Sequence, residues 1–202
     1  MLIDNYHSTH VLSRRVKVLA RHLAALAPQK AEILDVGCGD GQVAKLLLDQ
    51  RADLKLSGVD VLIREHTVIP VTAFDGTSLP LADESQDAVM FIDVLHHTDD
   101  PLVLLREAVR VSRRWIVIKD HYRNGFAARP TLRFMDWVGN ARYRVALPYN
   151  YWNESQWIAA FAKLNLRPVR SVTSLGLYPW WANWIFGRRL HFITVLEKLP
   201  KD

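Results

Sequence analysis

A chain of 202 residues, 50% apolar and 23% charged, suits one globular domain with one core and is too short for two. No run nears the roughly 18 apolar residues of a membrane span, and Met1-Leu2-Ile3-Asp4-Asn5 lacks the charged-then-apolar layout of a signal peptide, so a cytoplasmic protein is the expectation. The single cysteine, Cys38, excludes an internal disulfide and a cysteine-rich zinc site; the net charge of +5 is scattered, without a basic block, so a nucleic-acid partner is disfavoured.

In chain order, Leu12, Val16, Leu19, Leu23 and Leu26 recur at spacings of four and three, which predicts a helix with one apolar stripe in an N-terminal segment (1–28) ending at Pro28. That helix has three places to go: over a site, onto a sheet or against another subunit. Residues 31–36 read as a strand entering a run of glycines, and 42–50 as the helix after them. Three more strands are expected at 54–59, 67–74 and 87–92, followed by Asp60, Asp75 and Asp93. Pro101 opens a helix over 101–111, and 115–118 form a strand running into Lys119, Asp120 and His121. The alternation predicts an α/β fold, a mainly parallel sheet with helices on both faces.

After His121 the periodicity is lost, and 122–152 is expected to be a lid-like insertion. A helix restarts at Asn153, where Asn153 and Gln156 can form a capping box ahead of Trp157, Phe161 and Leu164. Two last strands fall at 167–174 and 190–196, separated by the aromatic-dense stretch 177–186.

Chemistry concentrates first at Leu34-Asp35-Val36-Gly37-Cys38-Gly39-Asp40-Gly41, where a strand hands over to a helix. Its G-x-G-x-G spacing differs from the G-x-G-x-x-G of dinucleotide-binding turns, and Asp35 and Asp40 would repel a pyrophosphate while favouring a cation. Asp60, 21 residues beyond Gly39 at a strand end, is placed to accept ribose hydroxyl protons. The pattern describes a nucleoside with a positively charged tail. Cys38, inside the turn, reads as a small packing residue.

These residues resemble the class I S-adenosylmethionine-dependent methyltransferases, in particular the type 11 small-molecule branch. Four motifs carry the resemblance in order: LDVGCGDG at 34–41, GVD at 58–60, FDGTSLPL at 74–81 and DAVMFIDVLHHTDDP at 87–101, followed by LLREAVRVS at 104–112. Ser112-Arg113-Arg114 departs from the family's usual Gly-Gly before the fifth strand, at the end of that strand away from the ligand. The resemblance implies a Rossmann-like sheet of seven strands with the last antiparallel, and S-adenosyl-L-methionine as cofactor. It places Asp35 and the backbone of Gly37, Cys38 and Gly39 at the methionine end, Asp60 and Val61 at the ribose, and Asp75 and Gly76 at the adenine. Ile92 and Asp93 would lie beside the cofactor, and 95–97 would line the methyl-transfer chamber.

His97 and His121 follow the fourth and fifth strands, where open parallel sheets bind ligands, and are the candidate catalytic groups. Methyl transfer can equally run on positioning alone. Asp120 is not expected to orient His121, because neighbours on an extended chain point to opposite faces. No metal site is expected: His96 and His97 with Asp99 and Asp100 lack a convincing third ligand. All seven tryptophans fall from Trp115 onward. They either seal the core, wall an apolar or aromatic acceptor pocket along 143–152 and 180–186, or dip into a membrane interface beside Arg188 and Arg189. The expected partner is a small, apolar or aromatic methyl acceptor. A cofactor-binding protein without turnover and an RNA-directed methyltransferase are the alternatives.

Overall fold

A computed structural model describes the backbone of residues 2–140 and 148–200 and the side chains of 14–138 and 148–200. The chain opens with a long helix α1 (Leu2–Leu26), then β1 (Glu32–Val36), α2 (Gln42–Leu48), β2 (Lys55–Asp60), β3 (Val71–Ala73) and β4 (Gln86–Ile92). A single 3-10 turn (Leu95–His97) leads to α3 (Pro101–Val111), β5 (Ser112–His121), α4 (Ala128–Asn140), α5 (Glu154–Lys163), β6 (Leu166–Val172), α6 (Trp180–Phe186) and β7 (His191–Lys198). The seven strands form one sheet in the order β3-β2-β1-β4-β5-β7-β6; β7 lies antiparallel between β5 and β6, and the other neighbouring pairs are parallel.

Helices cover both faces. On one, Leu19, Leu23 and Leu26 of α1 and Ala44 and Leu47 of α2 pack on Ile33, Met90, Val117 and Ile193. On the other, Leu104, Leu105 and Ala108 of α3 and Trp157 and Phe161 of α5 pack on Leu34, Val89, Phe91 and Ile116. Alternate residues of β1 and β4 therefore enter opposite cores, and the middles of these two strands are apolar because both faces are covered. Of the three places open to α1, it takes the sheet.

Local chemistry sets the boundaries. Asp100 caps α3 by accepting from Leu102 N at 2.9 Å, with Pro101 at the first helical position. Asn153 and Gln156 form the capping box of α5. The strand expected at 67–74 is only Val71–Ala73: Pro70 has no N–H to give a ladder, and Val68 N turns instead to Asp40 O at 2.9 Å. Within 122–152, where no periodicity was legible, α4 forms, and α6 occupies the aromatic stretch. α6 is only seven residues long and apolar at nearly every position, which leaves no period to read, whereas α4 is amphipathic and its period was missed.

Chain order doubles back at β1, whose neighbours are β2 and β4. The carboxyl ends of β1, β2, β4 and β5 therefore share one edge, with the reversal of direction between β1 and β4, the place where open α/β sheets form a ligand crevice. Asp35, Asp60, Asp93 and His121 all come to that edge.

Candidate active site

From β1 the backbone turns through Gly37, Gly39 and Gly41 with φ of 71°, 60° and 83°. Gly37 N donates to Val59 O at 2.7 Å, Cys38 N to the same oxygen at 3.3 Å, and Gly39 N to Asp60 Oδ2 at 2.8 Å. The N–H groups that a phosphate would need are thus engaged inside the fold. The glycines differ in purpose. A Cβ on Gly37 would lie 2.5 Å from Val94 Cγ2, whereas a Cβ on Gly39 would meet nothing within 4 Å. Gly37 answers to packing; Gly39 faces open space. Cys38 turns its thiol onto β2, where a Cβ on Gly58 would sit 2.3 Å from Sγ, and burial pushes that thiol up to about 12. Its side chain is a packing group and not a nucleophile.

Asp35 is buried, and its Oδ1 has no hydrogen-bond partner among the described residues. Burial, and then the neighbouring charge of Asp60, raise this carboxyl to about 8. Asp60 is held at the end of β2 by Gly39 N on one oxygen and Leu62 N at 2.9 Å on the other. Val61 is exposed beside Gly76, whose Cβ would approach Val61 Cγ1 to 3.3 Å. Asp75 closes its own turn, with Oδ1 accepting from Thr77 N and Ser78 N at 2.7 Å and from Thr77 Oγ1 at 2.9 Å. These donors hold its carboxyl below the usual range.

The ends of β4 and β5 carry a second, denser constellation. After the half-buried Ile92, Asp93 adopts φ 58° and forms ion pairs with Lys119 and, at 2.6 Å, with Arg15 of α1. Lys119 is fully buried and contacts His191 Nδ1 at 3.3 Å. Beside this pair, buried His96 bridges two carboxylates, Asp120 Oδ1 at 2.7 Å through Nδ1 and Asp136 Oδ1 at 3.4 Å through Nε2. Tyr151 donates to the other oxygen of Asp136 at 2.7 Å, and His97 Nε2 lies 3.6 Å from Asp136 Oδ1.

Burial opposes the charge on His96, yet Asp120 and Asp136 overcome it and raise the imidazole to about 10. Burial would likewise neutralise Asp93, but Lys119 and Arg15 hold its carboxyl far below the usual range. Three cations (Arg15, Lys119, His96) thus balance three carboxylates (Asp93, Asp120, Asp136) in a setting where an unmatched charge would cost several kcal/mol. The remaining imidazoles are pushed the other way. Burial and then Lys119 lower His121 well below the ordinary histidine value, and burial and then His96 lower His97. Both are neutral rings at neutral pH.

Asp120 corrects the sequence expectation. Its Oδ1 accepts from His121 N at 2.8 Å and lies 3.2 Å from His121 Nδ1. The two residues do not point apart because the carboxylate folds back along the strand end onto its neighbour. An acceptor there places the His121 proton on Nδ1 and leaves the lone pair on Nε2. The acids around His96 and His97 are also not Asp99 and Asp100 but Asp93, Asp120 and Asp136. One atom each from Asp93, His96 and His121, and from His96, His97 and Asp136, lie within 4.8 Å of one another, the spacing of a cation site; Asp93, His96 and Asp136 are already engaged by the ion pairs and hydrogen bonds above, while His97 Nδ1 has no hydrogen-bond partner among the described residues.

The described parts of the 122–152 segment touch the constellation from two sides. Asn150 N donates to His96 O at 3.0 Å and Arg123 N to Trp152 O at 2.9 Å, while α4 delivers Asp136. Tyr143, part of the expected pocket wall, lies outside the described residues. Sequence reasoning missed Arg15, Lys119, Asp136, Tyr151 and His191. Only Lys119 left a signal: a lysine in the apolar run Trp115-Ile116-Val117-Ile118.

The fold and the cleft define a doubly wound α/β domain whose glycine turn has its N–H groups engaged inside the fold and, among the described residues, an unpartnered buried carboxylate beside it. A Methyltransferase domain family model matches residues 34–115. The 27-O-demethylrifamycin SV methyltransferase of Amycolatopsis mediterranei (strain S699) is 28% identical over 110 residues, which cover 47% of this chain and 40% of that protein. The chain thus spans well under half the length of this curated relative. A chain of the complex between the Haloferax volcanii Trm112 methyltransferase activator and a methyltransferase superposes with a TM-score of 0.66 at 15% identity, over 91% of this chain and 90% of that one. A Thermotoga maritima S-adenosylmethionine-dependent methyltransferase superposes with a TM-score of 0.65 at 17% identity, over 96% of both chains. Residues 34–115 thus carry the sequence signature of the Methyltransferase domain family, and the chain shares its fold with S-adenosylmethionine-dependent methyltransferases.

Proposed function

We propose that this domain binds S-adenosyl-L-methionine at the β1, β2 and β3 ends and methylates a small, apolar or aromatic acceptor under the 122–152 segment. One observation carries the reading: the buried, unpartnered Oδ1 of Asp35 beside Asp60, under a turn whose N–H groups are turned inward. That is a receptor for a cationic nucleoside, and the ammonium at the methionine end fits it. Asp60 and Val61 would face the ribose, Asp75 and Gly76 the adenine, and Ile92 the body of the cofactor. When bound, the cofactor supplies a methyl group already activated by its sulfonium. Asp93, anchored by Lys119 and Arg15, fixes the β4 end against which the reactive centre lies.

On the acceptor side, His121 is a neutral base with its lone pair on Nε2, set by Asp120. If the acceptor is a hydroxyl, His121 Nε2 would take its proton while the methyl exchanges its bond to sulfur for one to oxygen, the thioether being the leaving group. His97 lies further along the same wall. Segment 122–152 excludes water and closes over the acceptor. Mass spectrometry of a cell extract incubated with the protein and methyl-labelled cofactor tests the reading. It predicts a labelled small molecule formed by the wild type and lost with Asp60→Ala. Label found only in RNA, or in nothing while the cofactor binds, would overturn it.

A further inference from the structure

The fold uses only some of its tryptophans. Trp157 is buried and Trp115 and Trp152 are half-buried, but Trp137, Trp180, Trp181 and Trp184 are 58%, 87%, 61% and 80% exposed. Phe126 and Phe134 join them at 92% and 53%. These side chains come from α4, the turn before it, and α6, two helices that pack against each other. Phe134 stacks toward Phe186 with ring centroids 6.3 Å apart, and Arg188 reaches across to Thr131 Oγ1 at 3.2 Å and Phe126 O at 3.4 Å. The inner faces are satisfied separately: Ala128 and Leu132 pack with Tyr151 and Leu190, and Ala182 is buried. The outer aromatics are therefore surplus to the core, and a patch of this kind marks an interaction surface.

Charge says what covers it. Residues 122–140 and 173–190 contain five arginines and a single acid, Asp136, which is buried against His96. Arg129, Arg133, Arg188 and Arg189 are exposed around the aromatic face. A second copy of this chain meeting the face by two-fold symmetry would bring arginine against arginine. A layer of anionic headgroups meets it with opposite charge. Indole rings seat at the headgroup level of a bilayer with their apolar bodies inward, and flanking arginines bind the phosphates. No helix of the described residues is long and apolar enough to cross a membrane, so such a face lies on the bilayer.

We propose that α4 and α6 form a docking surface for an anionic phospholipid bilayer. The experiment is flotation of the full-length chain with phosphatidylcholine vesicles, with and without phosphatidylglycerol, followed by tryptophan emission. The chain is expected to float with the anionic vesicles, to blue-shift its emission, and to bind them about 10- to 30-fold more tightly than the neutral ones, with the preference fading in high salt. Trp180→Ser with Trp184→Ser is expected to weaken flotation at least about 10-fold at an unchanged thermal midpoint, since both rings are exposed. Arg188→Gln with Arg189→Gln is expected to erase most of the preference for the anionic lipid. Failure of the wild type to float, or flotation unchanged in the tryptophan variant, would overturn the proposal. So would a dimer in sedimentation that the tryptophan variant abolishes without vesicles, which would make the face a self-interface. None of these readouts depends on methyl transfer.

Discussion

Replacing Asp35 with asparagine tests the electrostatics of the cleft. In the free protein Asp35 is raised from 3.8 to about 8, by burial first and by Asp60 second. A group whose folded pKa is raised contributes stability below its unfolded pKa and loses it as pH rises toward the folded value. Between those limits the loss is about 1.36 kcal/mol per pH unit, or about 4 kcal/mol by pH 7. Asparagine keeps the shape and cannot ionise. Allowing for relaxation, Asp35→Asn should stabilise the free protein by about 2–4 kcal/mol at pH 7, a rise in thermal midpoint of about 5–15 °C. The gain should shrink toward pH 4 and grow toward pH 8. A cationic ligand reverses the preference: it draws Asp35 into its charged form and expels the proton. Calorimetric titrations with S-adenosylmethionine at pH 7, in buffers of different ionisation enthalpy, should show close to one proton released by the wild type and none by the variant. The variant should also bind about 10- to 100-fold more weakly. A midpoint difference equal at pH 5 and pH 8, with no proton release by the wild type, would refute the reasoning.

Gly39→Val should fold, because the space beside Gly39 is open, at a cost of about 1–2 kcal/mol for its left-handed backbone; it should bind the cofactor at least about 100-fold more weakly, and normal affinity would show that the turn does not face the ligand. His121→Ala should lower turnover by about 10²–10⁴ with cofactor affinity nearly unchanged. Because His121 is held neutral, the acid limb of the wild-type pH–rate profile should fall below the ordinary histidine range instead of near neutrality, and wild-type turnover in the variant would assign catalysis to positioning alone. Lys119→Met leaves Asp93 paired with Arg15 alone and should cost up to about 3 kcal/mol in urea unfolding, and Lys119→Met with Asp93→Asn should recover part of it; a double variant as unstable as the single one would argue against a coupled pair.

The sheet was legible because its strands are apolar runs separated by turn chemistry, and the edge at which Asp35, Asp60 and Gly39 meet because each sits at a strand end in a motif of fixed spacing. Asp35, Asp60 and Gly39 could be named for that reason. The acceptor half was not legible in the same way. Asp136 comes from α4, an amphipathic helix whose period was not read in the sequence, and it meets His96 only through the tertiary fold. Arg15 lies 78 residues from Asp93 and looked like surface charge on an N-terminal helix. His96 was named in the chamber lining but not singled out from His97 for a related reason: which of two adjacent imidazoles is buried between carboxylates depends on the 3-10 turn that carries them. Asp120 was misjudged because alternation of side chains governs the body of a strand and not a carboxylate folding back at its end.

The central claim, a cleft built for a cationic nucleoside, is tested most directly by calorimetric titration of S-adenosylmethionine into the wild type and into Asp60→Ala, with circular dichroism confirming that both are folded. The account predicts one site per chain in the wild type and affinity about 30-fold to several hundred-fold weaker in the variant, from the loss of two hydrogen bonds to a charged acceptor. A folded wild type that gives no binding, or a folded variant that binds as tightly as the wild type, would contradict it.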